Sequence, residues 1–140
     1  MKTILTLIMV VSLELNVPPN FVKAIAYTEH WNGSIENTII KADRVSKPNS
    51  NGSVDRGVMQ LNSQYFDDFD WADPETNIRK GIEHIVYLSK HCSTYWHLAI
   101  AYNAGLEGAK NPPASSLAYA DRVMQIYLEL EGTPYIKVKI

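Results

Sequence analysis

Glu29 is the residue with the clearest chemical meaning. It continues the apolar stripe Val22, Ile25 and Ala26 of a helix expected to start at Pro18-Pro19 and end near residue 29. A carboxylate on such a stripe is unusual. At a helix C-terminus the macrodipole disfavours its charge, and burial disfavours it again. Both effects raise the pKa toward that of a general acid at neutral pH. The plainer reading is a Glu that turns outward as the helix ends. Metal chemistry has weaker support. His84 and His91 share a helix face, and Cys92 and His97 would complete four ligands on paper, but surface and partly buried histidines are the better reading. The acidic run Asp67, Asp68, Asp70, Asp73 and Glu75 lacks the Asp-x-Asp-x-Asp-Gly spacing of a calcium loop and reads as a solvated turn. Metal: none, and cofactor: none, are therefore the expectations. The single cysteine, Cys92, excludes an intrachain disulfide framework. It reads as a small buried apolar residue, with a reactive thiol as the minority alternative.

The elements that must position Glu29 are mostly helices. A first helix is expected over residues 2–15. Its apolar opening resembles a short signal peptide, but no small-x-small cleavage site follows and it leads straight into the next helix, so a domain helix is preferred. Residues 31–55 are polar and rich in turn formers. Asn51-Gly52 is a turn signal and a candidate closure for a small hairpin. Asp73-Pro74-Glu75 reads as a helix start with Asp as cap and Pro at the first position. Ile78, Ile82, Ile85 and Val86 form that helix's apolar face. Another helix is expected over 94–104, stopped by Gly105, with a loop over 105–114. A last helix spans 116–131, with Leu117, Ala120, Met124, Tyr127 and Leu128 as its stripe. The expected fold class is mainly α, one domain over residues 1–132 with a small β-hairpin or turn region, followed by a tail at 133–140.

Composition narrows the function. The 140 residues are 46% hydrophobic and 20% charged, with a net charge of −2, which is ordinary globular composition. No general basic footprint for nucleic acid or anionic lipid is present, and the N-terminal apolar run is too short to span a bilayer.

Four motifs in order change the weight of Glu29. They are Ala26-Tyr27-Thr28-Glu29-His30-Trp31-Asn32; Gly57-Val58-Met59-Gln60-Leu61-Asn62; Asp73-Pro74-Glu75-Thr76-Asn77-Ile78 leading to Gly81; and Ala101-Tyr102-Asn103-Ala104-Gly105 followed by Tyr119-Ala120-Asp121-Arg122-Val123. In this order and spacing the chain resembles the soluble lytic transglycosylase (SLT) domain, a lysozyme-like family that cleaves peptidoglycan. The likeness runs from about residue 8 to 130. The run from Ser53 to Asn62 is most similar to the small transglycosylases that accompany secretion, conjugation and appendage systems, and to the matching segment of animal lysozymes.

The resemblance implies a lysozyme-like fold and roles for individual residues. Glu29 would be the catalytic acid/base that cleaves the β-1,4 bond between N-acetylmuramic acid and N-acetylglucosamine, leaving a 1,6-anhydromuramic end. Met59 and Gln60 would line the cleft, Tyr102 and Asn103 would contact sugar, and the Tyr119 hydroxyl would support Glu29. The bland readings are core for Met59 and half-buried aromatics for the tyrosines. Buried amides such as Gln60 and Asn103 need partners, and they suit acetamido and hydroxyl groups. Trp31 and Trp96 either stack on sugar or fill core, with core favoured for Trp96. His30 departs from the family's usual Glu-Ser. A histidine charged near pH 6.5 would lower the Glu29 pKa and alter rate or pH dependence. Asp55 is a candidate second carboxylate, with a structural role in the turn as the alternative; Asp43 is a weaker candidate. Arg44, Lys47 and Arg56 are available to peptide carboxylates. The alternatives carried forward are a hydrolytic muramidase using Glu29 and Asp55, and a weakly active glycan-binding module. The implied partner is the peptidoglycan glycan strand, with secretion or envelope machinery as a further candidate, and the implied location is the periplasm, cell envelope or outside.

Overall fold

A threonine cap starts the chain's first element. The Thr3 side chain accepts a hydrogen bond from the Thr6 amide, and α1 (Ile4–Glu14) follows, burying Leu7, Ile8, Val11 and Ser12. Asn16 stops the chain in the left-handed region, at φ 60°. Pro18 caps α2 (Pro19–Glu29), with Pro19 in the first turn where no N–H is needed. The computed structural model describes residues 2–66 and 68–132; the expected tail at 133–140, and Asp67 of the acidic run, lie outside them.

The polar middle folds into a small antiparallel strip. β1 (Asp55–Arg56) pairs with β2 (Leu61–Asn62) in the register Asp55 to Asn62 and Arg56 to Leu61. Residues 44–46 lie along its other side through a Val45–Arg56 bridge, with the Ser46 amide donating to the Asp55 carbonyl at 2.8 Å. The hairpin is not closed by Asn51-Gly52, as the sequence suggested. Those residues turn the chain at the tip of the link between 44–46 and β1, where the Gly52 amide donates to the Asn49 carbonyl at 2.9 Å. The hairpin closes at 57–60 instead, with Gly57 at φ 82° and Gln60 at φ 50°. The reason is a close approach: a Cβ on Gly57 would lie 2.2 Å from Asn77 Nδ2.

Asp73 caps α3 (Pro74–Ser89) by accepting from the Thr76 amide, and Ile78, Ile82 and Ile85 are buried while Val86 is half-buried. Thr94 caps α4 (Tyr95–Lys110). Gly105 breaks α4 at φ 76° and ψ 169°, yet residues 106–110 regain helix. The loop expected over 105–114 therefore shrinks to 111–113: one glycine swings the chain without ending the element. α5 (Ala114–Glu131) ends at Gly132 in the left-handed conformation.

The architecture is mainly helical with one small β region. α5 packs against α2 and α4, while α1 packs against α2 and α3. Phe21, Tyr95 and Tyr127 form an aromatic triangle joining α2, α4 and α5, with ring centroids 5.0–5.7 Å apart. Among the described residues no helix is long and apolar enough to cross a membrane.

Asn77 ties α3 to the hairpin turn. It is wholly buried. Its Oδ1 accepts from the Met59 amide at 2.8 Å, and its Nδ2 donates to the carbonyls of Arg56 and Trp71 at 3.1 and 3.0 Å. Asn77→Ala leaves these buried backbone groups without partners, so we expect a loss of about 3 kcal/mol in urea unfolding. A loss below about 0.5 kcal/mol, the level of an ordinary surface change, would contradict this account of the turn.

Candidate active site

Glu29 is the last residue of α2 and lines a cleft of about 710 Å³. One wall comes from the strip and its link, with Asn49, Asn51, Asp55, Gln60 and Asn62; another comes from α3 and α4, with His84, Tyr87, Tyr102 and Asn103. The Tyr119 hydroxyl, from α5, donates to Glu29 Oε2 at 2.7 Å. Burial raises the Glu29 pKa from 4.5 to about 7; the Tyr119 bond pulls it down, the Asp55 carboxylate pushes it up and Arg44 pulls it down. The phenols of Tyr102 and Tyr119 are pushed well up, first by burial and then by the charge of Glu29, so both remain donors.

The other expected site residues fall into two groups. Tyr102, Asn103 and Gln60 line the cleft with Glu29. The Tyr102 hydroxyl donates to the Met59 carbonyl at 2.6 Å, and Asn103 Oδ1 accepts from the Ser116 hydroxyl at 2.7 Å, which fixes the amide's orientation. Gln60 Nε2 donates to the carbonyls of Arg44 and Gly57 at 3.1 and 3.0 Å. Asp55 also lines the cleft, and its Oδ1 accepts from Asn62 Nδ2 at 3.0 Å. Asp43 is exposed and does not line it.

Met59 and His30 are placed differently from the sequence reading. The Met59 side chain is fully buried, and a Cβ on Gly81 would lie 2.6 Å from its Cγ. It is core, and it reaches the site through its carbonyl. His30 is buried too, with both ring nitrogens bonded to backbone. The Lys41 amide donates to Nδ1 at 3.3 Å, so Nδ1 carries no proton and Nε2–H donates to the Val58 carbonyl at 3.0 Å. Burial, followed by the charge of Arg44, holds its pKa below the ordinary value against the opposing pull of the Val58 carbonyl. The expectation of a charged His30 beside Glu29 is therefore corrected to a neutral imidazole clamp.

Trp31 is half-buried under the Arg122 guanidinium, 4.7 Å from its ring centroid. Trp96 is half-buried, and its indole N–H donates to Asp121 at 3.0 Å. Arg56 is taken up structurally, stacking over Trp71 and donating to the Phe66 carbonyl at 3.0 Å. Sequence reasoning missed the aromatic wall of the cleft. His84 packs among the rings of Phe66, Tyr87 and Tyr102. The available signal was the spacing of His84, Tyr87 and His91, which puts three rings on one helical face. Among the described residues, no group of three or more His, Cys, Asp or Glu is placed to hold a metal ion.

Two measurements check the state of Glu29. In Tyr119→Phe the lost hydrogen bond should raise its pKa above about 7, read by NMR titration of the side-chain carboxyl; an unchanged or lower value contradicts the assignment. Stability gives the second. Between pH 4.5 and about 7 the folded chain retains a proton on Glu29 that the unfolded chain releases, so stability falls as pH rises through that window. Glu29→Gln removes this term. It should unfold at higher denaturant than the parent at pH 8, with the gap closing toward pH 4.

The family model of the Transglycosylase SLT domain matches residues 7–125. A comparison with curated proteins gives no match. The match spans α1 through most of α5 and includes Glu29, the hairpin and the cleft walls. By that match, and by the mainly helical fold that carries it, the chain belongs to the SLT transglycosylase family of the lysozyme-like superfamily, whose domains act on peptidoglycan.

Proposed function

We propose that this chain is a peptidoglycan lytic transglycosylase with Glu29 as its acid/base. The observation that carries the reading is a carboxyl raised to about 7, open to a long cleft and held by one phenol. Protonated Glu29 gives its proton to the glycosidic oxygen as the bond from the muramic anomeric carbon breaks. The resulting carboxylate takes the proton of the muramic C6 hydroxyl, whose oxygen bonds to the anomeric carbon. The ring closes as a 1,6-anhydro end, no water is consumed and Glu29 is again protonated. In this family the substrate's 2-acetamido carbonyl is thought to stabilise the developing cation, in place of a second carboxylate.

The cleft chemistry suits that substrate. Gln60, Asn62 and Asn103 offer amides to acetamido and hydroxyl groups. Phe66, Tyr87 and Tyr102 offer ring faces to the apolar faces of sugars. His30 serves as a positioning residue, joining the Glu29 segment to the hairpin turn. The site of action on this reading is the cell envelope. One observation favours a second reading, hydrolysis: Asp55 shares the cleft and acts electrostatically on Glu29. Its bond from Asn62 supports the structural role instead.

Digestion of purified sacculi with mass spectrometry of the products separates these readings. The parent should release anhydromuramic ends, and Glu29→Gln should lose at least about 100-fold of that activity. Reducing muramic ends would replace transglycosylation with hydrolysis and bring Asp55 into the mechanism. Glycan binding with no Glu29-dependent product would leave a binding module. Activity should fall as pH rises through about 7, because the acid form of Glu29 is then depleted.

A further inference from the structure

Glu29 faces the sugar cleft, but the two residues after it face elsewhere. His30 and Trp31 line a second pocket of about 460 Å³, with Asn32, Asn37, Ile39, Lys41, Arg44 and Val45. Its charged lining is all cationic. Lys41 and Arg44 contribute directly, and Arg122 lies over the Trp31 ring. Glu36 and Asp43, the acidic residues of the same loop, are exposed and outside the lining. In a chain of net charge −2 this is a local reversal of sign.

The pocket is built rather than casual. Asn32 N–H donates to the Thr38 hydroxyl at 2.9 Å, and that hydroxyl donates to the Ser34 carbonyl at 2.6 Å. Asn32 Nδ2 donates to the Asn37 carbonyl at 3.3 Å, and Lys41 is anchored through its amide to His30. Arg44 is held through its backbone, its carbonyl accepting from the Gly57 amide at 2.8 Å and from Gln60. Exposed Ile39 and Val45, at 70% and 49%, add an apolar rim that a simple inorganic anion would not use. Arg44 also acts electrostatically on Glu29, so the pocket lies close to the reacting bond.

We propose that this pocket receives the carboxylate-bearing peptide stem of the glycan substrate, with Lys41 and Arg44 pairing its carboxylates and Ile39, Val45 and Trp31 packing on its apolar side chains. The inference rests on the peptidoglycan reading above and assigns that substrate's peptide to a pocket distinct from the sugar cleft. Peptide-bearing strands then gain charge-assisted bonds that stripped strands lack. The pocket makes the enzyme selective for strands whose stems are intact.

The first test is direct binding to the full chain, labelled with ¹⁵N. The probe is an N-acetylated tetrapeptide with two free carboxylates, and the control is the same peptide amidated at both. The acidic peptide should shift the amides of His30, Trp31, Asn32, Lys41 and Arg44, and Lys41→Gln with Arg44→Gln should weaken it by about tenfold or more. No shift at about 10 mM peptide, equal shifts from the amidated control, or equally tight binding of inorganic phosphate would each overturn the assignment. The second test compares sacculi with glycan strands stripped of peptide by an amidase. The parent should favour intact strands by about tenfold, and the double variant should lose that preference. Equal cleavage of both by the parent would overturn the proposal. A chain that binds the acidic peptide at this pocket but cleaves neither glycan would sink the enzyme reading and keep the pocket.

Discussion

Everything in this structure is arranged around one unfavourable placement, a carboxyl at the C-terminal end of a packed helix. Both the helix dipole and desolvation oppose its ionisation. α2 tolerates it because the group can stay protonated and because Tyr119 reaches it across the α2–α5 interface. That single bond makes the register of α2 against α5 a chemical quantity. The aromatic triangle of Phe21, Tyr95 and Tyr127 holds the register from the other end of α2 and ties α4 into it. Since Tyr102 sits on the same α4, the packing that fixes the acid also fixes a wall of its cleft.

The β strip has too few bonds of its own to stand alone, with two residues in each strand. Three clamps supply what it lacks. Asn77 binds its turn to α3, Tyr102 binds the Met59 carbonyl to α4, and His30 binds the Val58 carbonyl to the end of α2. All three seize backbone groups of the same turn, residues 56–59. A turn seized from three helices cannot slide, so Asp55 and Gln60 on either side of it enter the cleft at fixed positions.

Much of this was legible in the sequence. The caps at Asp73 and Thr94, the Pro18-Pro19 start and the glycine stop at 132 are local chemistry, and local chemistry is written in neighbouring residues. Glu29 was legible because a carboxylate on an apolar stripe breaks a pattern. The closure of the hairpin was not, since Asn51-Gly52 is the stronger local turn signal and the deciding contact, Gly57 against Asn77, spans 20 positions. Gly105 misled in the same way: a helix breaker is visible locally, but whether helix resumes depends on what the next turn packs against. Met59 and His30 were assigned to the substrate by their neighbours in a motif. Their side chains are buried, and burial is a property of the whole fold.

His30 shows what the departure from Glu-Ser accomplishes here. Asp55 and Arg44 act on Glu29 with opposite sign, and both belong to the strip that runs from 44 to 57. The acidity of Glu29 therefore depends on where that strip sits. His30 is bonded at one nitrogen to Val58, just beyond the strip, and at the other to Lys41, just before it. A serine hydroxyl has one oxygen and too short a reach to hold two backbone groups from segments this far apart in sequence. The imidazole does so, and it must be neutral to accept at Nδ1 while donating at Nε2. Its lowered pKa is the condition for both bonds, and through them for a fixed balance between the two charges that set the strength of the acid.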